Sequence, residues 1–228
     1  LLDHSQLATN FPWLNVSDIL LGSFGAKGEG WFDPWALIRG LKRKCKSMNV
    51  QFVTGYSSGS VRESSGRLLA VDVLEENQSG TTRYNVNHVV NAAGSNCSKV
   101  METLTGSNGL VHPIPVEPRK RCIFFIHCNT KQEDYTVPAV APLIVCPLTG
   151  VYFRSEGQIS SDGAPTGNFL CGVSPSQDVD RAIEDENELD YADHKLWDDI
   201  IWPALYHRAP MFGDVKVISS WAGCYECK

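Results

Sequence analysis

Several groups of residues in this sequence have the types and spacing that chemistry needs. Val89-Val90-Asn91-Ala92-Ala93-Gly94 is an apolar run that stops at three small residues. Small side chains at the end of a buried strand let backbone amides come close to a phosphate-bearing ligand. Tyr152 and Arg154 flank Phe153, so a strand here puts the phenol and the guanidinium on one face and the phenyl ring on the other. A guanidinium in that position can steer a carboxylate, and Tyr225 offers a hydroxyl that can orient an amine or a carboxylate. Arg119-Lys120-Arg121 leads into an apolar stretch. Cys224 and Cys227 form a C-x-x-C pair without a second pair, so zinc is not expected of them; a redox role stays as an alternative, without the strand-to-helix setting it usually has. The six histidines show no ligand-like spacing, and no metal site is expected.

These groups need elements to hold them. Asp33 suits an N-cap and Pro34 the first helical position. Trp35, Ile38, Leu41, Cys45 and Met48 then recur at helical steps, with Arg39, Lys42, Arg43, Lys44 and Lys46 on other faces. Asn49 can close the helix, and Val50-Gln51-Phe52-Val53 reads as the next strand. Strands around 59–61, 68–74 and 83–86 follow, divided by turns at Ser64-Ser65-Gly66 and Asn77-Gln78-Ser79-Gly80. The Val-Val-Asn-Ala-Ala-Gly strand comes next. In the second half, 122–126, 151–154, 168–173 and 215–221 read as strands. Glu188 to His207 reads as one helix on the stripe Leu189, Ala192, Leu196, Ile200 and Leu205, bent or ended by Pro203.

At 228 residues and 43% hydrophobic content the chain can bury a core. No apolar run approaches the roughly 20 residues that span a bilayer. The net charge of −6 is unevenly placed: 178–199 contributes −8 and the rest sums to +2. That acidic stretch reads as a solvated loop leading to a helix, with a docking face for a partner protein as the alternative. The basic clusters lack interleaved stacking aromatics, so nucleic-acid binding is not expected. The eight cysteines are scattered, and reduced thiols are expected; the formal sequons at Asn15, Asn77 and Asn96 keep a secreted, disulfide-bonded protein as the alternative.

The words Gly30-Trp31-Phe32-Asp33-Pro34-Trp35, Val90-Asn91-Ala92-Ala93-Gly94, Pro115-Val116-Glu117-Pro118-Arg119-Lys120-Arg121, Tyr152-Phe153-Arg154-Ser155-Glu156-Gly157 and Trp221-Ala222-Gly223 resemble the D-amino-acid oxidase family. This family of FAD-dependent oxidoreductases includes glycine oxidase, sarcosine oxidase and dimethylglycine dehydrogenase. The resemblance implies an α/β (α+β) fold: a Rossmann-like FAD-binding layer, incomplete at its N- and C-terminal ends, plus an antiparallel-sheet substrate domain. It divides the chain into a substrate-domain lead-in (1–30), part of the FAD-binding domain with an inserted meander (31–110), the substrate domain (111–222) and the start of a return to the FAD domain (223–228). The family's Gly-x-Gly-x-x-Gly turn and closing Gly-rich segment have no counterpart here, so the sequence reads as the middle of a larger flavoprotein.

By the same resemblance, Tyr56 and Ser57 fall where backbone groups meet adenine, and Ala92, Ala93 and Gly94 on the turn facing the ADP half of FAD. Arg121 falls in a region bordering the isoalloxazine, with an exposed basic strand end as the alternative reading. Tyr152, Arg154 and Tyr225 are the candidate catalytic residues. Tyr225 stands where amino-acid oxidases place a carboxylate-binding Arg, and Gly223 where sarcosine-oxidase-like members place a flavin-bonded Cys, so FAD is expected to be non-covalent. Two roles are implied for the parent protein. One is flavin-dependent oxidation of the C–N bond of a small amine or N-methyl amino acid. The other is a mitochondrial role in building respiratory complex I, in contact with its subunits or assembly intermediates and associated with the matrix or inner membrane.

Overall fold

The computed structural model describes residues 1–76, 79–105, 114–128, 141–157, 167–176 and 180–227. The expected turn at 77–80 and the start of the expected substrate domain at 111–113 lie partly or wholly outside them. The fold is mixed α/β with antiparallel sheets, as the sequence implied. The chain separates into two compact units: Leu1–Gly30 with Lys120–Cys224, and Trp31–Arg119 with Tyr225–Lys228.

The chain opens with β1 (Leu2–Asp3), α1 (His4–Asn10) and β2 (Leu21–Gly22), where β1 and β2 pair antiparallel. Asp3 and Gln6 form a reciprocal capping box on α1. The second unit starts with α2 (Pro34–Ser47). The Asp33 carboxylate accepts from the Trp35 and Ala36 amides at 2.9 and 3.1 Å. At the other end Asn49 adopts φ +61°, its N–H reaching the Lys46 carbonyl and that of Val50 the Cys45 carbonyl. This is a left-handed closure that only Gly and Asn enter at low cost.

β3 (Gly55–Arg62), β4 (Leu68–Glu75) and β5 (Thr81–Asn85) make a three-stranded meander in sequential order. Asp72 and Arg83 face each other across β4 and β5 and pair through two bonds of 2.7 and 2.9 Å. α3 (Cys97–Thr105), which the sequence reading did not identify, packs on β3; Ser60 Oγ and Arg62 Nη2 donate to the Leu104 carbonyl at its C-terminal end, at 2.5 and 3.1 Å.

Two expected strands are corrected. Residues 50–54 and 86–93 belong to no ladder among the described residues. A strand needs a neighbour to receive its backbone hydrogen bonds, and Val50, Phe52, Val53, Val89 and Val90 are exposed instead of sandwiched.

The other unit carries a five-stranded antiparallel sheet. Its strands are β6 (Glu117–Cys128), β7 (Ile144–Val145), β8 (Tyr152–Ser155), β9 (Asn168–Gly172) and β10 (Val215–Cys227), in the order β10-β6-β9-β8-β7. Alternation turns Cys122, Phe124, Ile126, Phe153, Phe169 and Cys171 to one face, all buried. Phe212 packs edge-on to Phe153 and Phe169 with centroids 5.1 and 5.0 Å away.

The single helix expected over 188–207 is also corrected. Glu186–Leu189 is a separate 3₁₀ turn whose Glu188 carboxylate folds back onto the Glu184 and Asp185 amides, a local bond that competes with a helix. The helix starts after Asp193, which caps Lys195, with α4 (His194–Leu196). It widens into a π-turn at Trp197–Ile201 and continues as α5 (Trp202–Arg208). Pro203 has no N–H to give the Asp199 carbonyl and its ring crowds that turn, which accounts for the widening.

Candidate functional site

Tyr152 and Arg154 lie on β8, and the ladder registers Tyr152 with Gly172 and Ile123, and Arg154 with Leu170 and Phe125. These residues share the sheet face opposite the buried Phe153, as alternation predicts. A Cβ on Gly172 would meet Tyr152 Oη at 2.6 Å and the Cys122 carbonyl at 2.9 Å. The phenol therefore lies across β9 in a space that only glycine leaves.

Arg154 is not an open cation. It forms an ion pair with Glu156 and donates from Nη1 to the Ser155 carbonyl at 3.0 Å. Glu156 stands two residues on and on the same face of the strand, a spacing visible in the sequence that the sequence reading passed over.

The Arg119-Lys120-Arg121 run is not an exposed basic strand end. Arg121 is 7% exposed and holds the Asp180 carboxylate at 2.8 and 2.7 Å. Lys120 bonds the Glu188 carbonyl and lies 3.8 Å from the centroid of the Tyr191 ring. Arg119 pairs with Glu117 at 2.6 Å. The acidic stretch thus spends Asp180 and Glu188 on interactions inside its own unit, while Glu184, Asp185, Glu186, Asp190, Asp193, Asp198 and Asp199 stay exposed.

In the other unit, Tyr56 and Ser57 sit on β3, opposite Leu74 and Val73. β3 is an edge strand, so every second backbone pair faces away from β4. Tyr56 is exposed. Ala92 and Ala93 lead into a 3₁₀ turn, Gly94–Asn96, that runs into α3. Gly94 has φ +53°, and a Cβ there would meet nothing within 4 Å. The Asn91 side chain braces the turn by accepting from the Ala93 amide at 3.3 Å and donating to the Cys97 carbonyl at 2.8 Å. The Asn96 and Cys97 amides bond the Ala93 and Gly94 carbonyls, so the turn is closed by its own backbone and open at Gly94. The structure does not join these residues to the β8 pair within one unit, and Tyr225 is exposed near the end of β10.

All eight cysteines are free thiols. Burial pushes Cys171 well above the ordinary thiol range, and burial together with Asp214 pushes Cys128 up to about 11, which makes both poor nucleophiles. Cys224 and Cys227 are three apart on one strand, about 10 Å, beyond the reach of a disulfide. Among the described residues no cluster of His, Cys, Asp and Glu could hold a metal ion, and no helix is long and apolar enough to cross a membrane.

The model of the FAD dependent oxidoreductase (DAO) family matches residues 1–227. FAD-dependent oxidoreductase domain-containing protein 1 of Xenopus laevis is 34% identical over 97% of this chain and 44% of its own length. The Mus musculus protein of that name is 34% identical over 99% of this chain and 46% of its length. A Drosophila melanogaster homolog is 27% identical over 99% and 44%. Among solved structures, L-proline dehydrogenase from P. horikoshii superposes with a TM-score of 0.73 at 15% identity, covering 100% of this chain and 52% of that one; the likeness is one of fold. The chain belongs to the family of FAD-dependent oxidoreductases of the DAO type, whose cofactor is FAD. It spans about 44–46% of the length of the curated relatives it matches. The Asn91-braced turn leaves the backbone at Gly94 uncrowded, which is compatible with close approach of the ADP part of that cofactor.

Proposed function

We propose that the protein to which this chain belongs is a mitochondrial flavoprotein that serves respiratory complex I assembly and meets its subunits or assembly intermediates. The observation that carries this reading is the state of the cations an amino-acid oxidase would use. Arg154 is engaged by Glu156, and Tyr225 occupies the place of the carboxylate-binding Arg of related oxidases. A substrate carboxylate would have to compete with Glu156 for the Arg154 guanidinium, while Arg121, at the same parity on β6, is held by Asp180. FAD, bound without a covalent link because Gly223 stands where a bonded Cys would, supplies a hydride acceptor when present. The backbone around Tyr56, Ser57 and the Ala92-Ala93-Gly94 turn would hold its ADP half. Arg121, locked to Asp180, would keep the start of β6 fixed rather than move with a ligand.

The second reading, oxidation of a small amine at its C–N bond, is favoured by Tyr152, whose hydroxyl can orient a neutral amine on a mostly apolar face. Full-length protein mixed anaerobically with sarcosine, dimethylglycine and D-amino acids separates the two. The assembly reading expects the flavin to stay oxidised, and a Tyr152→Phe/Tyr225→Phe variant to restore complex I in cells lacking the protein. Rapid flavin reduction, together with failed rescue by that variant, would overturn it.

A further inference from the structure

The sequence singled out a basic run on α2 that nothing above uses. Between Pro34 and Ser47 the helix carries Arg39, Lys42, Arg43, Lys44 and Lys46 and no acidic residue. Arg39, Lys42, Arg43 and Lys46 follow one another at i, i+3, i+4 and i+7, the spacing of a single helical face. Trp35, read from the sequence as the first residue of the apolar stripe, stands four residues before Arg39 and heads the basic face instead. These four basic side chains line one shallow concavity with Asp33 and Ala36. None of the four carries an ion pair among the described residues; Lys42 instead sits 5.3 Å from the centroid of the Phe52 ring. The apolar side chains Leu37, Ile38, Leu41, Cys45 and Met48 project on another side of the helix, so a structure that covers them leaves the basic face in water. Trp35 is 73% exposed, and Trp31 and Phe32 just ahead of it are exposed as well.

We propose that this face of α2, with Trp35 at its head, is a docking surface for an anionic lipid bilayer. The inference goes beyond the assembly role and stands without it. Four to five unneutralised cations on a chain of net charge −6 make a local field opposite in sign to the molecule, and anionic headgroups complement it. Indole rings settle at the bilayer interface, where an apolar body and a polar N–H are both accommodated. The face, about 17 Å from Trp35 to Lys46, can lie flat against the headgroups as a polybasic patch, held at the surface and not sunk into the acyl region. The same charges would attract a nucleic acid, but the helix has no Asn or Gln to read a base edge. Its exposed aromatics gather at one end instead of interleaving with the cations.

The test is sedimentation of the full chain with vesicles of phosphatidylcholine alone, or with about a third phosphatidylglycerol. Binding is expected only to the anionic vesicles and is lost in high salt. Replacing Arg39, Lys42, Arg43 and Lys46 by Gln lowers the partition coefficient about tenfold or more. A charge-matched control at the exposed Lys27, Lys99, Lys195 and Lys216 changes it about twofold or less. Trp35→Ala weakens binding without altering its salt slope. Far-UV circular dichroism checks folding; if the fourfold variant unfolds, Lys42→Glu with Arg43→Glu takes its place. Equal losses in the α2 and control variants, equal binding to neutral vesicles, or preference for an oligonucleotide over anionic vesicles would each overturn the proposal.

Discussion

Gly172 decides where Tyr152 can be. An added methyl would fall 2.6 Å from the phenol oxygen and 2.9 Å from a main-chain carbonyl, and the carbonyl cannot swing away. Gly172→Ala is expected to destabilise the sheet by about 1–3 kcal/mol. Pairing it with Tyr152→Phe should recover only part of that loss, which urea melts of both variants would measure; full recovery would show that the backbone contact does not matter. A second residue effect belongs to Asp18. The buried Arg208 guanidinium holds its carboxylate at 2.9 and 3.0 Å and lowers its pKa to about 2 from 3.8. A depressed carboxylate contributes stability above its unfolded pKa and loses it as pH falls through the folded one. The stability gap between wild type and Asp18→Asn should therefore be full above pH ~4 and close towards pH ~2. A gap that does not change between those limits would show that the pair does not titrate as described. Neither effect was legible in the sequence, since Asp18 and Arg208 are 190 positions apart. Alternation alone, by contrast, put Tyr152 and Arg154 on one face and Phe153 on the other, and it is the Phe153 face that is buried.

Elements were most legible where local chemistry sets both ends. α2 was readable because Asp33-Pro34 starts it and Asn49 ends it, both by bonds within a few residues. Asp33→Ala should cost about 1 kcal/mol through the two orphaned amides, while Asn49→Gly should be neutral or slightly stabilising. A cost for Asn49→Gly as large as for Asp33→Ala would show that the Asn side chain has a duty beyond its backbone angle. The meander was readable for the same reason: Ser64-Ser65-Gly66 places Gly66 at φ +87° in a tight turn. Legibility failed where a distant or competing partner decides. Val50–Val53 and Val89–Asn91 have strand composition, but no strand among the described residues pairs with them. The Glu188-to-His207 stripe counted apolar residues correctly but gave too little weight to Glu188 folding back and to Pro203. α3, whose nine residues include three of Ser and Thr, gave little helical signal of its own.

At the scale of the molecule the two units are unequal. The contiguous core of large buried side chains lies in Leu1–Gly30 with Lys120–Cys224, built on Phe124, Phe153, Phe169, Ile201, Leu205 and Phe212. In the described part of the other unit only Ala70 and Leu104 are buried apolar residues, and α2 has none. Burial is what makes backbone opening costly, so the units should exchange amide hydrogens at different free energies. In the 228-residue chain, amides of Phe124, Ile126 and Phe169 are expected to exchange about a thousandfold or more slowly than those of 50–54 and 86–93. Most of the latter should approach intrinsic rates, because no described ladder holds them; the exceptions are Val50, Val86 and Ala93, whose amides donate to the Cys45 and Leu69 carbonyls and the Asn91 side chain. The same segments in a protein of the relatives' length should become protected if further chain pairs with them and covers Leu41 and Val90. Hydrogen exchange followed by mass spectrometry on both proteins reads this directly. Equal protection of 86–93 and β9 in the 228-residue chain would mean that the exposed apolar surface of the second unit is already covered there, and that the asymmetry between the units is false.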